Sequence, residues 1–318
     1  MKVLATTHAS SASAPASVIA MSVAHASYLA ASSVSTLDDV DRLSRDRSLG
    51  LSYEALLSIL ARRVDTDLKR DIGHHRKAEV AAQHVRKYLR GDSLLTIAAS
   101  AGLPPTMLAR VVLETHLNLK RGKEVGQLLK SPQLIDDARL RREVERCVES
   151  DPFCGPNVDN ARRLAGLEYE LLLSQKLVSL GVPFLTEDQL RLRGDAKTPD
   201  ALLPVPLLVR GNRIVHWIDS KATFGDPASH DEYRTNQFAS YLHRFGPGLV
   251  IYWHGYDESI DTDPRILLLS DLRAEECEQC SCLPVGASSG AFGLADAAQQ
   301  QYAQQAGAPA GAAPVEVG

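Results

Sequence analysis

The residues with the most chemical content in this chain of 318 are three carboxylates and a lysine: Glu170, Asp200, Asp219 and Lys221. Asp219 and Lys221 are two apart at the end of an apolar run, so on a strand they point to one face. Hydrolysing a phosphodiester requires neutralising the developing negative charge, activating a water and stabilising the leaving oxygen. A hard divalent cation such as Mg²⁺ serves all three needs and prefers carboxylate oxygens, with water completing its shell. Asp200 and Asp219, on neighbouring strands, would hold one such ion between them, with Mn²⁺ as a substitute. Glu170, from a preceding helix, would complete the site, and Lys221 would orient the water or stabilise the transition state.

An acid-x-Lys tripeptide alone means little, since it recurs at Asp67-Leu68-Lys69 and Asp195-Ala196-Lys197, where no role is assigned. The order of features gives the third instance its weight: a helical Glu, then Pro199-Asp200, a turn, and an apolar strand ending in acid-x-Lys. Without that context the charged pair would be a solvated strand end. Gln237 and Tyr241 follow, four apart and therefore on one helical face. Gln237 could fix a water or a phosphate oxygen, and Tyr241 could stack on a base or donate a hydrogen bond. By itself such a pair is more often ordinary surface.

The elements that must position these groups are legible in outline. A helix runs from about Arg163 to Gly181, with Gly166 one turn before Glu170, where a missing side chain lets another group approach the carboxylate. Glu168 is the alternative helix acid, but it shares a face with Leu164, Leu171 and Leu172 and reads as nearer the core. Pro204 and Pro206 make the run from Ala201 to Val209 an irregular or edge strand. Gly211-Asn212 is expected to turn the chain into the returning strand Arg213 to Lys221. Tyr252 and Trp253 read as core, and His216 and His230 as packed rather than catalytic.

Four segments emerge: 1–49, low-complexity and expected to be unstructured; 50–150, helical; 151–283, a catalytic α/β domain; and 284–318, an Ala/Gly/Gln-rich tail expected to be disordered. Within the helical segment, Ser93 or Asp92 can cap a short helix, Gly102 allows a tight turn and Pro105 suits the start of the next helix. That is the pattern of a helix-turn-helix, whose second helix would lie in a groove of the duplex, although Arg110 is its one obvious contact. It is also a common way to join two helices in any helical domain.

The net charge of −4 excludes an indiscriminate polycation, so nucleic-acid binding needs a local patch. Arg62 to Arg90 supplies nine basic residues against four acidic ones. Five cysteines, unevenly spaced, do not make a disulfide framework. Cys277, Cys280 and Cys282 could offer three thiolates to a structural zinc, with Cys154 or His254 as a fourth ligand. No run of eighteen uninterrupted apolar residues is present to span a membrane. The first 36 residues hold Lys2 as their lone Lys or Arg, which fits a transit peptide poorly. Nucleus and cytoplasm are the expected locations.

At its motif residues the chain resembles the PD-(D/E)XK nuclease superfamily and, within it, the branch with a Gln-x-x-x-Tyr helix. More closely, Lys197-Thr198-Pro199-Asp200, the segment His216 to Asp226, and Arg244-Phe245-Gly246-Pro247-Gly248 running on to Trp253 resemble the codanin-1-interacting nuclease family, over about residues 50–270. The resemblance implies a helix-turn-helix-bearing N-terminal region, a restriction-endonuclease-like mixed sheet flanked by helices, Mg²⁺ dependence and a codanin-1-like partner. One departure is that the family's acid two before the lysine is usually Glu, whereas here it is Asp219. The function expected is metal-dependent cleavage of nucleic acid, DNA ahead of RNA. The rival is a non-catalytic platform that binds nucleic acid or a partner on the same fold.

Overall fold

A computed structural model describes residues 22–279. Residues 22–49, expected to lack structure, are folded. Strand β1 (Ser22–Val23) pairs in parallel with a short strand at Tyr256–Asp257, and helices α1 (His25–Ala31) and α2 (Leu37–Leu43) follow. Composition hid this because the segment is rich in Ala and Ser and reads as low-complexity. Val23, Ala31, Val34 and Val40 are buried against Leu51, Leu56, Leu60 and Phe224, so the segment is stabilised by a surface supplied from elsewhere in the chain. Thr36 caps α2 in a capping box with Asp39.

Helix α3 (Tyr53–His75), capped by Ser52, joins the two halves of the molecule. Its first part belongs to the cluster around Phe224, and Leu68 and Ile72 from its second part pack on the helical core. That core is built by α4 (Ala78–Leu89), α5 (Leu94–Ala101), α6 (Pro105–His116), α7 (Lys123–Lys130) and α8 (Ala138–Ser150). Ser93 caps α5, Gly102 takes the left-handed conformation at φ 66°, and Pro105 opens α6, as the sequence suggests. Helices α5 and α6 are bent by 110° across this turn. A reading helix must nevertheless offer a face to the groove, and half of α6 is turned into the core, leaving a half-buried stripe at Met107, Arg110 and Glu114. Thr106, Leu108, Ala109, Val111, Val112 and Leu113 are all buried, and the half-buried Arg110 lines a half-open cleft of about 240 Å³ with Asp65, Asp159 and Arg162. The turn is thus a core element, and α6 is the central helix of its domain. No single described helix is long and apolar enough to cross a membrane.

The α/β part begins with α9 (Pro156–Ser179), then β2 (Leu185–Thr186) and α10 (Glu187–Leu192). Next come β3 (Ala201–Val209), β4 (Arg213–Lys221), α11 (Pro227–Tyr233), a π-helical turn at Arg234–Phe238, and α12 (Ala239–Phe245). Strands β5 (Gly248–Tyr252), β6 (Tyr256–Asp257), β7 (Ile266–Leu269) and β8 (Cys277–Gln279) complete it. The sheet is mixed, in the order β2-β3-β4-β5-β7. β2, β3 and β4 are antiparallel, whereas β4, β5 and β7 are parallel.

Strand β3 is not at the edge. It pairs with β4 on one side and with both β2 and β8 on the other. The prolines are tolerated because the register slips between Leu202 and Leu207, and β2 and β8 meet the strand at its two ends, leaving 203–206 unpaired. The hairpin turn is centred on Arg210 and Gly211, at φ 51° and 70°, one residue earlier than expected. Two positive φ values in succession match the twist of the flanking strands.

One face of the sheet packs Ile218, Leu249 and Ile251 on Leu173 and Leu177 of α9. The other packs Trp217, Val250 and Tyr252 on Phe238, Tyr241 and Leu242. Trp217 and Gly248 are register partners across β4 and β5, and the indole lies flat over the glycine. A Cβ there would fall 2.0 Å from the fully buried ring. Gly248→Ala is therefore expected to lower stability by about 3 kcal/mol or more, through overpacking. Thermal unfolding checks this, and a variant melting like wild type would show that the β4–β5 pair can spread.

Candidate active site

Asp219 and Lys221 occupy the last turn of pleat on β4 and face α11 and α12. Lys221 Nζ lies 2.5 Å from Asp219 Oδ1, with both side chains largely out of water (15% and 3% exposed). The Lys221 ammonium covers this buried oxygen, and no other donor among the described residues reaches it. Lys221 Nζ also donates to Gln237 Oε1 at 3.0 Å. Gln237 reaches it from the π-helical turn, a wide turn that frequently marks functional sites.

Asp200 comes from the segment entering β3 and accepts a hydrogen bond from Ser220 N at 2.6 Å, which places it beside the Asp219–Lys221 pair. Burial, then the neighbouring Asp219 carboxylate, push its pKa well above the usual aspartate range, against the opposing pull of Lys221 and the Ser220 N–H. Burial also raises Glu170, with Glu187 and Asp219 adding to it. Burial disfavours the charge on Lys221, but Asp219 and Asp200 outweigh it and hold the ammonium above its ordinary value. Glu170 is half-buried and within electrostatic reach of Asp219 and Lys221, while Glu168 is exposed on α9. Nothing lies within 4 Å of a Cβ built on Gly166, so there is open room one turn before Glu170.

Tyr241 stands apart from the other expected site residues. It is 3% exposed, edge-on to Trp217, and its hydroxyl donates to the Thr198 carbonyl at 2.8 Å. It cannot stack on a base from that position. It instead holds the loop that carries Asp200. The same loop is tied down by Lys197 Nζ donating to the Asn236 carbonyl and by Arg244 donating to the Lys197 carbonyl, both at 2.7 Å, with Arg244 also paired to Asp195. Asp195 and Lys197, assigned no role from sequence, thus fix the mouth of the site.

Two further residues were not marked as site residues. The Tyr233 ring sits under the Lys221 ammonium at 4.8 Å. Trp253, expected in the core, is half-buried. Its Nε1 donates to Ser220 Oγ at 2.7 Å, and Tyr169 stacks on it. The signals were adjacency alone: Tyr233 is four before Gln237, and Tyr169 precedes Glu170. His230 is a core residue, bonded to Tyr252 and Thr262, and burial lowers it to about 4.

Among the described residues no three His, Cys, Asp or Glu side chains close around a point that would cage an ion. Mg²⁺ does not require such a cage, because it keeps several waters and is held by one or two carboxylates. The donor set fits that mode: a buried Asp219 oxygen met only by the Lys221 ammonium among the described residues, beside an Asp200 carboxyl whose charge the fold resists. Cys277 is a free thiol on β8, and Cys280 and Cys282 lie outside the described residues, as does the 284–318 tail.

The expected basic run is largely spent on internal pairs. Arg62 meets Glu232 and Asp65; Arg63 and Arg70 meet Asp67; Lys69 meets Asp65; and Arg76 meets Glu114. Lys77, Arg86, Lys87 and Arg90 have no ion-pair partner among the described residues and are the cations still available to a phosphate backbone.

The fold and the site define a two-part protein, a helical module on a mixed α/β domain whose strand mouth gathers acids around a lysine. Residues 136–272 match a family model described as "Protein of unknown function TPD sequence-motif", and Thr198-Pro199-Asp200 falls within them. The chain is 41% identical over 233 residues to CDAN1-interacting nuclease 1 of Xenopus laevis, covering 69% of this chain and 77% of that one. It is 40% identical over 235 residues to the Danio rerio protein of the same name (70% and 78% covered). It is 38% identical over 232 residues to that of Homo sapiens (69% and 82% covered). The chain belongs to the CDAN1-interacting nuclease 1 family. No solved structure matches it.

The raised Asp200 gives a stability prediction. A carboxyl whose pKa is raised in the fold stabilises while protonated, and that contribution is lost as pH climbs from the usual aspartate range through the raised value. Asp200→Asn cannot ionise and still offers an oxygen to Ser220 N. In EDTA it is expected to melt about 2–4 °C above wild type at pH 8, the shift that about 1 kcal/mol makes in a domain of this size. Below pH 4 the two should converge. A variant less stable than wild type at pH 8 would mean that the Asp200 charge is compensated in the fold.

Proposed function

We propose that this protein hydrolyses nucleic-acid phosphodiester bonds with a bound divalent cation, Mg²⁺ or Mn²⁺, in the manner of PD-(D/E)XK nucleases. The observation that carries the reading is the juxtaposition of Asp200, Asp219 and Lys221. Two acids, one whose buried oxygen meets only the Lys221 ammonium among the described residues and one with a resisted charge, share a strand mouth. The nuclease in the relatives' names supports it.

Asp200 and Asp219 would hold the cation, with Glu170 assisting from α9. When bound, the cation supplies charge neutralisation at the phosphate and a more acidic water. Lys221, kept protonated by the two aspartates, places positive charge where the transition state becomes more negative. Gln237 fixes the direction of the ammonium by accepting one of its hydrogens. The sheet and its helices serve as a restriction-endonuclease-like core, and the helical module contributes DNA contacts through the unpaired cations at 77, 86, 87 and 90. The CDAN1 in the relatives' names points to a codanin-1-like partner, in the nucleus or the cytoplasm.

A second reading, a non-catalytic platform for nucleic acid or a partner, is favoured by one observation: Lys221 already neutralises the Asp219 oxygen that a metal would use. Cleavage of labelled DNA and RNA structures in Mg²⁺, Mn²⁺ or EDTA separates the two. Metal-dependent cutting is expected, reduced at least about 10²-fold in Asp219→Asn, a change that keeps the side-chain shape and a folded control. Binding without cutting in either protein would move the assignment to the platform.

A further inference from the structure

A Gln-x-x-x-Tyr helix brings one tyrosine to expectation, but two tyrosines flank Gln237, four residues to either side. Tyr241 is buried, and its hydroxyl is committed to the Thr198 carbonyl. Tyr233 is half-buried, and its hydroxyl has no hydrogen-bond partner among the described residues. The π-helical turn lies between Tyr233 and Ala239, and both Tyr233 and Gln237 converge on Lys221. Gln237 arrives through a 3.0 Å hydrogen bond and Tyr233 through its ring face at 4.8 Å.

We propose that Tyr233, rather than Tyr241, is the tyrosine that touches substrate, donating its hydroxyl hydrogen to a non-bridging oxygen of the phosphodiester lodged against Lys221. The inference rests on the phosphodiester reading of the site.

The surroundings fit a phosphate. Arg62 of α3, Lys221, Asp219 and Glu232 all act electrostatically on the Tyr233 hydroxyl, which places it among the charges of the mouth rather than in the core. Burial raises its pKa, Lys221 and Arg62 oppose that, and the group remains a neutral donor through the physiological range. The ring is held in place by the ammonium above it and by Phe238 beside it. Helix α3 braces the same corner. Arg62 pairs with Glu232 at 2.8 Å, and Ser58 Oγ accepts from Phe224 N at 2.9 Å and bonds the Thr223 hydroxyl at 2.6 Å. The helical module therefore sets the path of the chain from Lys221 to Tyr233.

The test compares Tyr233→Phe with Tyr241→Phe in the full chain. It measures kcat and KM on a labelled oligonucleotide, Tm, and anisotropy of the same oligonucleotide in Ca²⁺. Losing one preorganised donor should cut kcat of Tyr233→Phe by about 10²-fold, with Tm unchanged. Tyr241→Phe, losing a buried hydrogen bond that holds the Asp200 loop, should melt about 2–4 °C lower and lose less kcat than Tyr233→Phe, its loss following the fall in Tm. Wild-type kcat and affinity in Tyr233→Phe would overturn the proposal. A wild-type protein that binds but does not cut would overturn the nuclease reading alone, and affinity then decides. A roughly fivefold weakening in Tyr233→Phe sustains the phosphate contact, and an unchanged affinity removes it.

Discussion

Three carboxylates and one ammonium share a strand mouth from which water is mostly excluded, and the rest of the α/β domain is arranged around the cost of keeping them there. An isolated charge so placed would lose its hydration without return. Lys221 offsets this for Asp219 at 2.5 Å, and the Ser220 amide offers Asp200 a donor. The offset is incomplete, because Asp200 and Glu170 are both driven toward their protonated forms. That residual imbalance is the property a cation-binding site needs, since it leaves carboxylate charge to be compensated by something outside the chain.

Holding such groups requires rigid neighbours. The Asp200 loop is fastened by Tyr241, Arg244 and Lys197, all from or onto the α12 side of the sheet. The β4–β5 pairing is locked by Trp217 lying on Gly248, and Ser220, between the two charged residues of β4, is tethered by Trp253. Substitution of any of these would act on the site through position rather than through contact with substrate. The N-terminal segment extends the same logic across the molecule. β1 adds to β6, Tyr28 stacks on Phe224, and α3 bonds the chain just past Lys221, so the helical module and the site form one continuous packed structure.

Much of this was readable from residue order. Pattern alone located Asp219 and Lys221 on one face of a strand, the Pro-Asp entry to the preceding strand, Gln237 on a helix beside them, and the capped helix pair around Gly102, because each depends on local periodicity or on a residue's own conformational preference. Burial was harder to read. The helix after Gly102 looked like a groove-reading helix, but six of its twelve residues are buried, which sets it at the centre of a core. Residues 22–49 looked low-complexity and unstructured, and their packing depends on residues outside the segment. Their partners, Leu56, Leu60 and Phe224, lie far along the chain.

The sequence by itself determined which chemical groups are present and which of them share a face, because side-chain direction along a strand or helix follows from a fixed period. Only the tertiary structure decided which groups meet. Tyr233 rather than Tyr241 is open at the lysine, five of the nine basic residues between Arg62 and Arg90 are spent on acids, and Glu170 rather than Glu168 turns toward the aspartates. Those outcomes depend on packing between segments distant in the chain, where a few ångströms of displacement decide whether a hydroxyl, a carboxylate or a guanidinium is left for a ligand or consumed by the fold.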